Sequence, residues 1–123
     1  MIHSITTQAR AILLKAADVI EARGHHRGDY APSDTRSDLR TCPVCVLAAI
    51  NVATNHHPVT DFFNYGMDEP EAQAAAALAK HLGLAECITP HELTDVVGEE
   101  WNDAPDRTAE QVTAALRECA ASL

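Results

Sequence analysis

Aromatic residues are scarce in this chain: two Phe, two Tyr and one Trp among 123 positions. A core with so few rings must be filled by aliphatic side chains and by alanine, which implies closely approaching helices and modest stability per residue. Lysine is nearly missing too, two residues against seven arginines, and with so much alanine that balance fits a high-GC bacterial genome. No run approaches the ~20 apolar residues that a membrane-spanning helix needs, so no membrane partner is expected. The N-terminus has no basic region followed by an apolar one, which leaves no secretory signal. The expected compartment is the cytoplasm, where the four cysteines stay reduced by default.

Charge is distributed unevenly. Residues 1–41 hold six basic and five acidic side chains, residues 42–60 hold none, and residues 61–123 hold three basic and thirteen acidic, giving a net −9. A half so acidic argues against nucleic acid as a partner, because phosphate binding needs clustered Lys and Arg. Its ordinary role is a solvated surface that keeps the chain soluble; the alternative is an acidic docking face or a DNA mimic.

The uncharged middle organises the fold. Thr41 to His57 is apolar nearly all round, as a helix enclosed by its neighbours must be. The expected helix covers about 43–55, with Cys42 as N-cap and Pro43 in its first turn. Asn55-His56-His57-Pro58 end it, since the residue before a proline is pushed out of helical geometry. Ahead of it, Ala9, Ile12, Leu13, Ala16, Val19 and Ile20 recur at three- and four-residue intervals in an amphipathic helix that Gly24 stops. Residues 24–41 form a long polar loop, functional or mobile by its length; its Arg27-Gly28-Asp29 tripeptide is a chance match to integrin ligands.

Beyond the middle, Val59 to Tyr65 reads as a short helix closed by Gly66. Asp68-Glu69-Pro70-Glu71, Thr89-Pro90-His91-Glu92 and Thr108-Ala109-Glu110-Gln111 read as three capping boxes, each opening a helix. The second of those helices should stop at Gly98. No stretch reads as a strand. The expected fold is all-α: residues 1–123 as one domain, an irregular bundle of five or six helices around the apolar helix at 43–55.

One short motif could carry chemistry, Cys42-Pro43-Val44-Cys45. A CxxC at a helix start suits thiol–disulfide exchange, because the dipole and free backbone N–H groups stabilise a thiolate. Thioredoxin-like proteins, however, place it after a strand, and Leu39-Arg40-Thr41 is too short and polar to be one. Zinc is the next candidate, with Cys42 and Cys45 joined by His25, His26, Cys87 or Cys119; His56 lies too far along a helix, ~1.5 Å per residue, to share the ion. A cysteine nucleophile is the third: Cys42, a loop histidine, and Asn102 as its orienter. Against all three stands the plain alternative, in which cysteines pack as small buried hydrophobes. Trp101 then anchors the core, and Asn102-Asp103 make the turn before the last helix.

Two stretches carry a resemblance. Cys45-Val46-Leu47-Ala48-Ala49-Ile50 resembles a "Cys, two apolar, Gly/Ala, Ala, apolar" signature in a family of small proteins from actinobacteria and their phages, with Ala48 where that signature often has Gly. Trp101-Asn102-Asp103-Ala104-Pro105-Asp106-Arg107-Thr108-Ala109-Glu110-Gln111-Val112 is similar to the same family's C-terminal signature. The resemblance implies bacterial or phage origin and a single domain, in a family of unknown function. The residues together point to a small binding or accessory module without catalysis or cofactor, contacting a protein partner through the 24–41 loop or the acidic half. The alternative is a redox or zinc site at Cys42 and Cys45.

Overall fold

The computed structural model describes residues 4–28, 30, 40–84 and 89–123. The described residues form helices and turns and no strand. Helix α1 (Ser4–Arg23) buries Ala9, Ile12, Leu13, Ala16, Ala17 and Ile20 on one stripe. It ends as its sequence requires: Gly24 takes φ 99°, where only a residue without Cβ is unstrained, and its N–H donates to the Ile20 carbonyl at 2.7 Å. The chain then runs beside the residues that precede the second helix. The His26 N–H donates to the Val44 carbonyl at 3.0 Å, and the Val44 N–H to the Gly24 carbonyl at 3.2 Å. This isolated parallel bridge pairs His25 with Val44.

That bridge changes where the second helix begins. Helix α2 spans Val46–Ala53, not 43–55, and its N-cap is Cys45 rather than Cys42. Val44 is held extended by its two backbone bonds to residues 24 and 26, so helical geometry cannot start until the chain has passed it. Cys45 is extended as well (φ −77°, ψ 174°), and its Sγ accepts the Ala48 N–H at 3.3 Å. Seven of the eight helical residues are buried, from Val46 to Asn51 and then Ala53. The helix closes through Thr54, whose hydroxyl donates back to the Ile50 and Asn51 carbonyls, and through Asn55 in the left-handed region at φ 66°.

A 3-10 turn (Phe62–Asn64) leads to α3 (Pro70–His81). Its expected capping box does not form. Glu69 is the N-cap without a side-chain capping bond, its Oε1 instead accepting the Gly66 N–H at 3.4 Å, and Glu71 is turned inward, 6% exposed, with its Oε2 3.2 Å from His56 Nε2. Helix α4 (Pro90–Leu93) starts as expected from Thr89, whose hydroxyl accepts the Glu92 N–H at 3.2 Å. It does not stop at Gly98. It widens into a nine-residue π-helical segment, Thr94–Asn102, which buries Val97, Trp101 and Asn102. Gly98 lies there against Leu47 of α2: a Cβ added at 98 would meet Leu47 Cδ1 at 3.4 Å. Helix α5 (Ala109–Ser122) opens with the reciprocal Thr108–Gln111 box that its sequence announces, Gln111 N–H to Thr108 Oγ1 at 3.2 Å and Thr108 N–H to Gln111 Oε1 at 3.0 Å. Helix α1 packs against α5, α2 and α3, and α2 also packs against the π-helical segment.

Candidate functional site

The loop after α1, the start of α2 and the turn before α5 meet at Asn102. Its residue is wholly buried, and all of its amide is used. Oδ1 accepts the Val46 N–H at 2.9 Å and faces His25 Nε2 at 2.8 Å. Nδ2 donates to the His26 carbonyl at 3.1 Å and to Asp103 Oδ1 at 2.8 Å. The orientation of the amide is dictated by its backbone partners, since the Val46 N–H can only donate and the His26 carbonyl can only accept. His25 Nε2 is therefore the donor to Asn102, and in the neutral imidazole Nδ1 holds the lone pair. Burial holds the His25 pKa below its ordinary 6.5, although the bond to Asn102 pulls upward; the nearby Arg27 charge lowers it further. His25 is thus a neutral ring in one defined tautomer at pH 7.

Around this pair the start of the polar loop is tied to the turn after Asn102. Asp103 Oδ1 also accepts the Gly28 N–H at 2.9 Å. The Arg27 guanidinium donates to the Ala104 carbonyl at 3.2 Å and to the Pro105 carbonyl. Trp101 is 8% exposed; the Arg107 guanidinium lies 4.5 Å over its ring while Arg107 Nε donates to the Trp101 carbonyl at 3.0 Å. Tyr30 fastens the loop from the other side. Its carbonyl accepts the Cys45 N–H at 2.9 Å and its hydroxyl the Phe62 N–H at 3.1 Å. Burial pushes the Tyr30 phenol above its usual pKa.

The candidate thiols stand as follows. Cys42 is 5% exposed and lies three residues before the N-cap, so the positive end of the α2 dipole falls on Cys45 instead. Cys45 is 3% exposed and its sulfur is already a hydrogen-bond acceptor. Of the parts proposed for a cysteine nucleophile, the fold brings His25 and Asn102 together. Among the described residues no hydrogen bond joins Cys42 to either. His25 and His26 flank the bridge to Val44, and His26 contributes its backbone N–H and carbonyl to the ties. Among the described residues no three His, Cys, Asp or Glu gather closely enough to hold a metal ion. Cys87, a further possible zinc ligand, lies outside the described residues, as does Asp29 of the Arg27-Gly28-Asp29 tripeptide.

Beside the Asn102 network lies a cleft of about 110 Å³. Gly28 and Tyr30 of the loop form one wall, and Leu47 of α2 the floor. Thr94, Gly98, Glu99 and Asp103 of the π-helical side form the other wall. A π-helical turn inside an otherwise α-helical region is a common companion of binding sites, because the wide turn displaces side chains and backbone from regular packing. Here the space left at Gly98 is part of the opening. Among the described residues two carboxylates border it, and Asp103 Oδ1 already has two donors, which leaves Oδ2 as its remaining acceptor.

The fold and this junction define an all-helical protein whose N-terminal loop is clasped by a Trp-Asn-Asp turn nearly eighty residues further on. Residues 4–122 match the family of unknown function DUF6197, and the chain belongs to that family. The match spans both signature stretches, Cys45–Ile50 and Trp101–Val112, as the resemblance implied. No curated protein and no solved structure matches the chain.

Two contributors have no signal in the sequence. Tyr30 sits in a polar loop like any other tyrosine, and Gly98 looks like a helix stop. The Asn102–His25 pair had a partial signal: Asn102 stands in a Trp-Asn-Asp run and His25 in a doublet, but nothing local says that the two meet.

Proposed function

We propose that this chain is a small accessory module, of bacterial or phage origin and cytoplasmic, that binds rather than catalyses. The proposal takes residues 1–123 as one helical domain with α2 as the enclosed centre of its bundle. The observation that carries it is the meeting of both sequence-marked contact regions at one cleft: Gly28 and Tyr30 from the polar loop face Glu99 and Asp103 from the acidic half. A volume of about 110 Å³ takes a side-chain head group rather than a whole substrate. With two carboxylates at the rim and Leu47 at the floor, the fitting group is a cationic side chain, Lys or Arg, of a protein partner.

The test is an amide-shift titration with N-acetyl-arginine-methylamide, with N-acetyl-leucine-methylamide as control. Saturable shifts at Gly28, Gly98 and Glu99 with the arginine probe alone support the reading, and the variant Glu99→Lys abolishes them. Equal shifts with both probes, or none, overturn it. The second reading, a thiol or zinc site at Cys42 and Cys45, draws support from Cys45 at the N-cap of α2, where a thiolate is stabilised. Mass-mapped alkylation separates the two. The binding reading expects Cys42 and Cys45 to resist modification until the chain unfolds, in protein carrying substoichiometric zinc. Rapid labelling of Cys42 or Cys45 in the folded protein, or one zinc per chain, moves the assignment to the second reading.

A further inference from the structure

We infer that His25 makes occupancy of the cleft beside Asn102 proton-dependent, an inference that rests on the reading of this cleft as a cation site. A cationic side chain seated between Glu99 and Asp103 competes with a proton on His25, so acidification weakens its binding. A short relay connects the two places. His25 Nε2 donates to Asn102 Oδ1 at 2.8 Å, and Asn102 Nδ2 donates to Asp103 Oδ1 at 2.8 Å. One amide group separates these bonds, which puts the imidazole within about 8 Å of the Asp103 carboxylate. The same pair braces the walls of the cleft. Asp103 Oδ1 also holds the Gly28 N–H at 2.9 Å, and Asn102 Oδ1 holds the N–H of Val46, next to Leu47 on the floor, at 2.9 Å.

At pH 7 the ring carries its proton on Nε2, so the proton that charges it goes to Nδ1 while the bond to Asn102 stays. Burial holds the His25 pKa below 6.5 against the pull of that bond. Among the described residues, the charged and titratable groups facing the ring are Arg27 and His26 on its own segment, which lower the pKa, and Asp103 from the turn before α5, which raises it. The start of α2, bridged to His25 through Val44, brings no Asp, Glu, Lys or Arg between 42 and 55. Asp103 is thus the charge that His25 and the cleft share. A bound cation offsets the carboxylate that steadies an imidazolium, and an imidazolium offsets the carboxylate that draws the cation. Two like charges about 8–10 Å apart, between water and a protein surface in dielectric, lower affinity about fivefold. The coupling is reciprocal, so the bound cation lowers the His25 pKa by the same factor, about 0.7 of a pH unit.

The experiment is an amide-shift titration of the full chain with N-acetyl-arginine-methylamide at pH 7.5 and pH 5.0, at matched ionic strength, with circular dichroism confirming the fold at both. The wild type should bind about fivefold more weakly at the lower pH once His25 is protonated. His25→Gln should lose most of that difference; any contribution of Glu99 and Asp103 remains in the variant, so the gap between the two proteins belongs to His25. His26→Gln, which removes a side chain while the backbone ties stay, should keep the wild-type ratio. In the wild type alone, the His25 ring signals followed against pH should titrate about 0.7 of a pH unit lower with saturating probe, a reading that needs no variant to fold. No arginine binding at pH 7.5 overturns the cation reading of the cleft and this inference with it. Binding at pH 7.5 with the same pH ratio in wild type and His25→Gln, or a His25 titration that the probe leaves in place, overturns this inference alone.

Discussion

Replacing Asn102 with alanine is the sharpest test of the junction on which the fold depends. The variant strands four partners at once. The Val46 N–H is buried, so its loss of a partner carries the full desolvation penalty, about 1–3 kcal/mol. The His26 carbonyl, His25 and Asp103 are only partly buried and can turn to water, each at about 0.5–1 kcal/mol. A total of about 2.5–6 kcal/mol is therefore expected, a large share of the ~5–15 kcal/mol that holds a domain of this size. Urea unfolding followed by circular dichroism reads it directly, and the melting temperature should fall by at least about 10 °C. His25→Ala removes only the half-buried partner and should cost about 1 kcal/mol. In the double variant the two effects should fall short of additive, because they share one hydrogen bond. An Asn102→Ala variant that loses less than about 1 kcal/mol would refute the view that this amide holds loop, helix and C-terminal turn together.

Three further outcomes follow from the same geometry. Because burial lowers the His25 pKa, the unfolded chain takes up this proton first as pH falls below the ordinary 6.5. The neutral ring's contribution is thus complete above that value and is lost as pH drops toward the folded pKa. A stability curve for His25→Gln should lack that part of the acid-side slope, and curves that run parallel to the wild type would contradict it. Gly98→Ala should raise stability by about 0.5–1 kcal/mol, since alanine favours helical geometry and its Cβ meets Leu47 Cδ1 at an ordinary 3.4 Å; a lower melting temperature would show that this segment tolerates no side chain there. His56→Ala leaves the 6%-exposed Glu71 without its imidazole partner and should cost about 1–2 kcal/mol. Adding Glu71→Gln to that variant should recover part of the loss, and no recovery would mean that Glu71 does not depend on His56.

What the sequence determined by itself is local. The stripe of α1 and its stop at Gly24, the Thr108–Gln111 box and the absence of strands among the described residues all follow from spacing, propensity and turn chemistry within a few residues. These are short-range effects, and they survive whatever the rest of the chain does. The start of α2 is different. Cys42 with Pro43 is a good local opening for a helix, yet Val44 is held extended by residues 24 and 26, so the helix waits for Val46. Gly98 is a good local stop, yet burial of Trp101 and Asn102 carries the helix past it as π turns. Glu71 looks like a capping residue until His56 draws it inward. In each case a contact between distant segments outweighs a local preference worth about 1 kcal/mol or less. The candidate site is of this second kind throughout. His25 and Asn102, and Tyr30 and Leu47, become neighbours only when the chain returns along the end of α1, and only the tertiary structure decides which of them share a cleft.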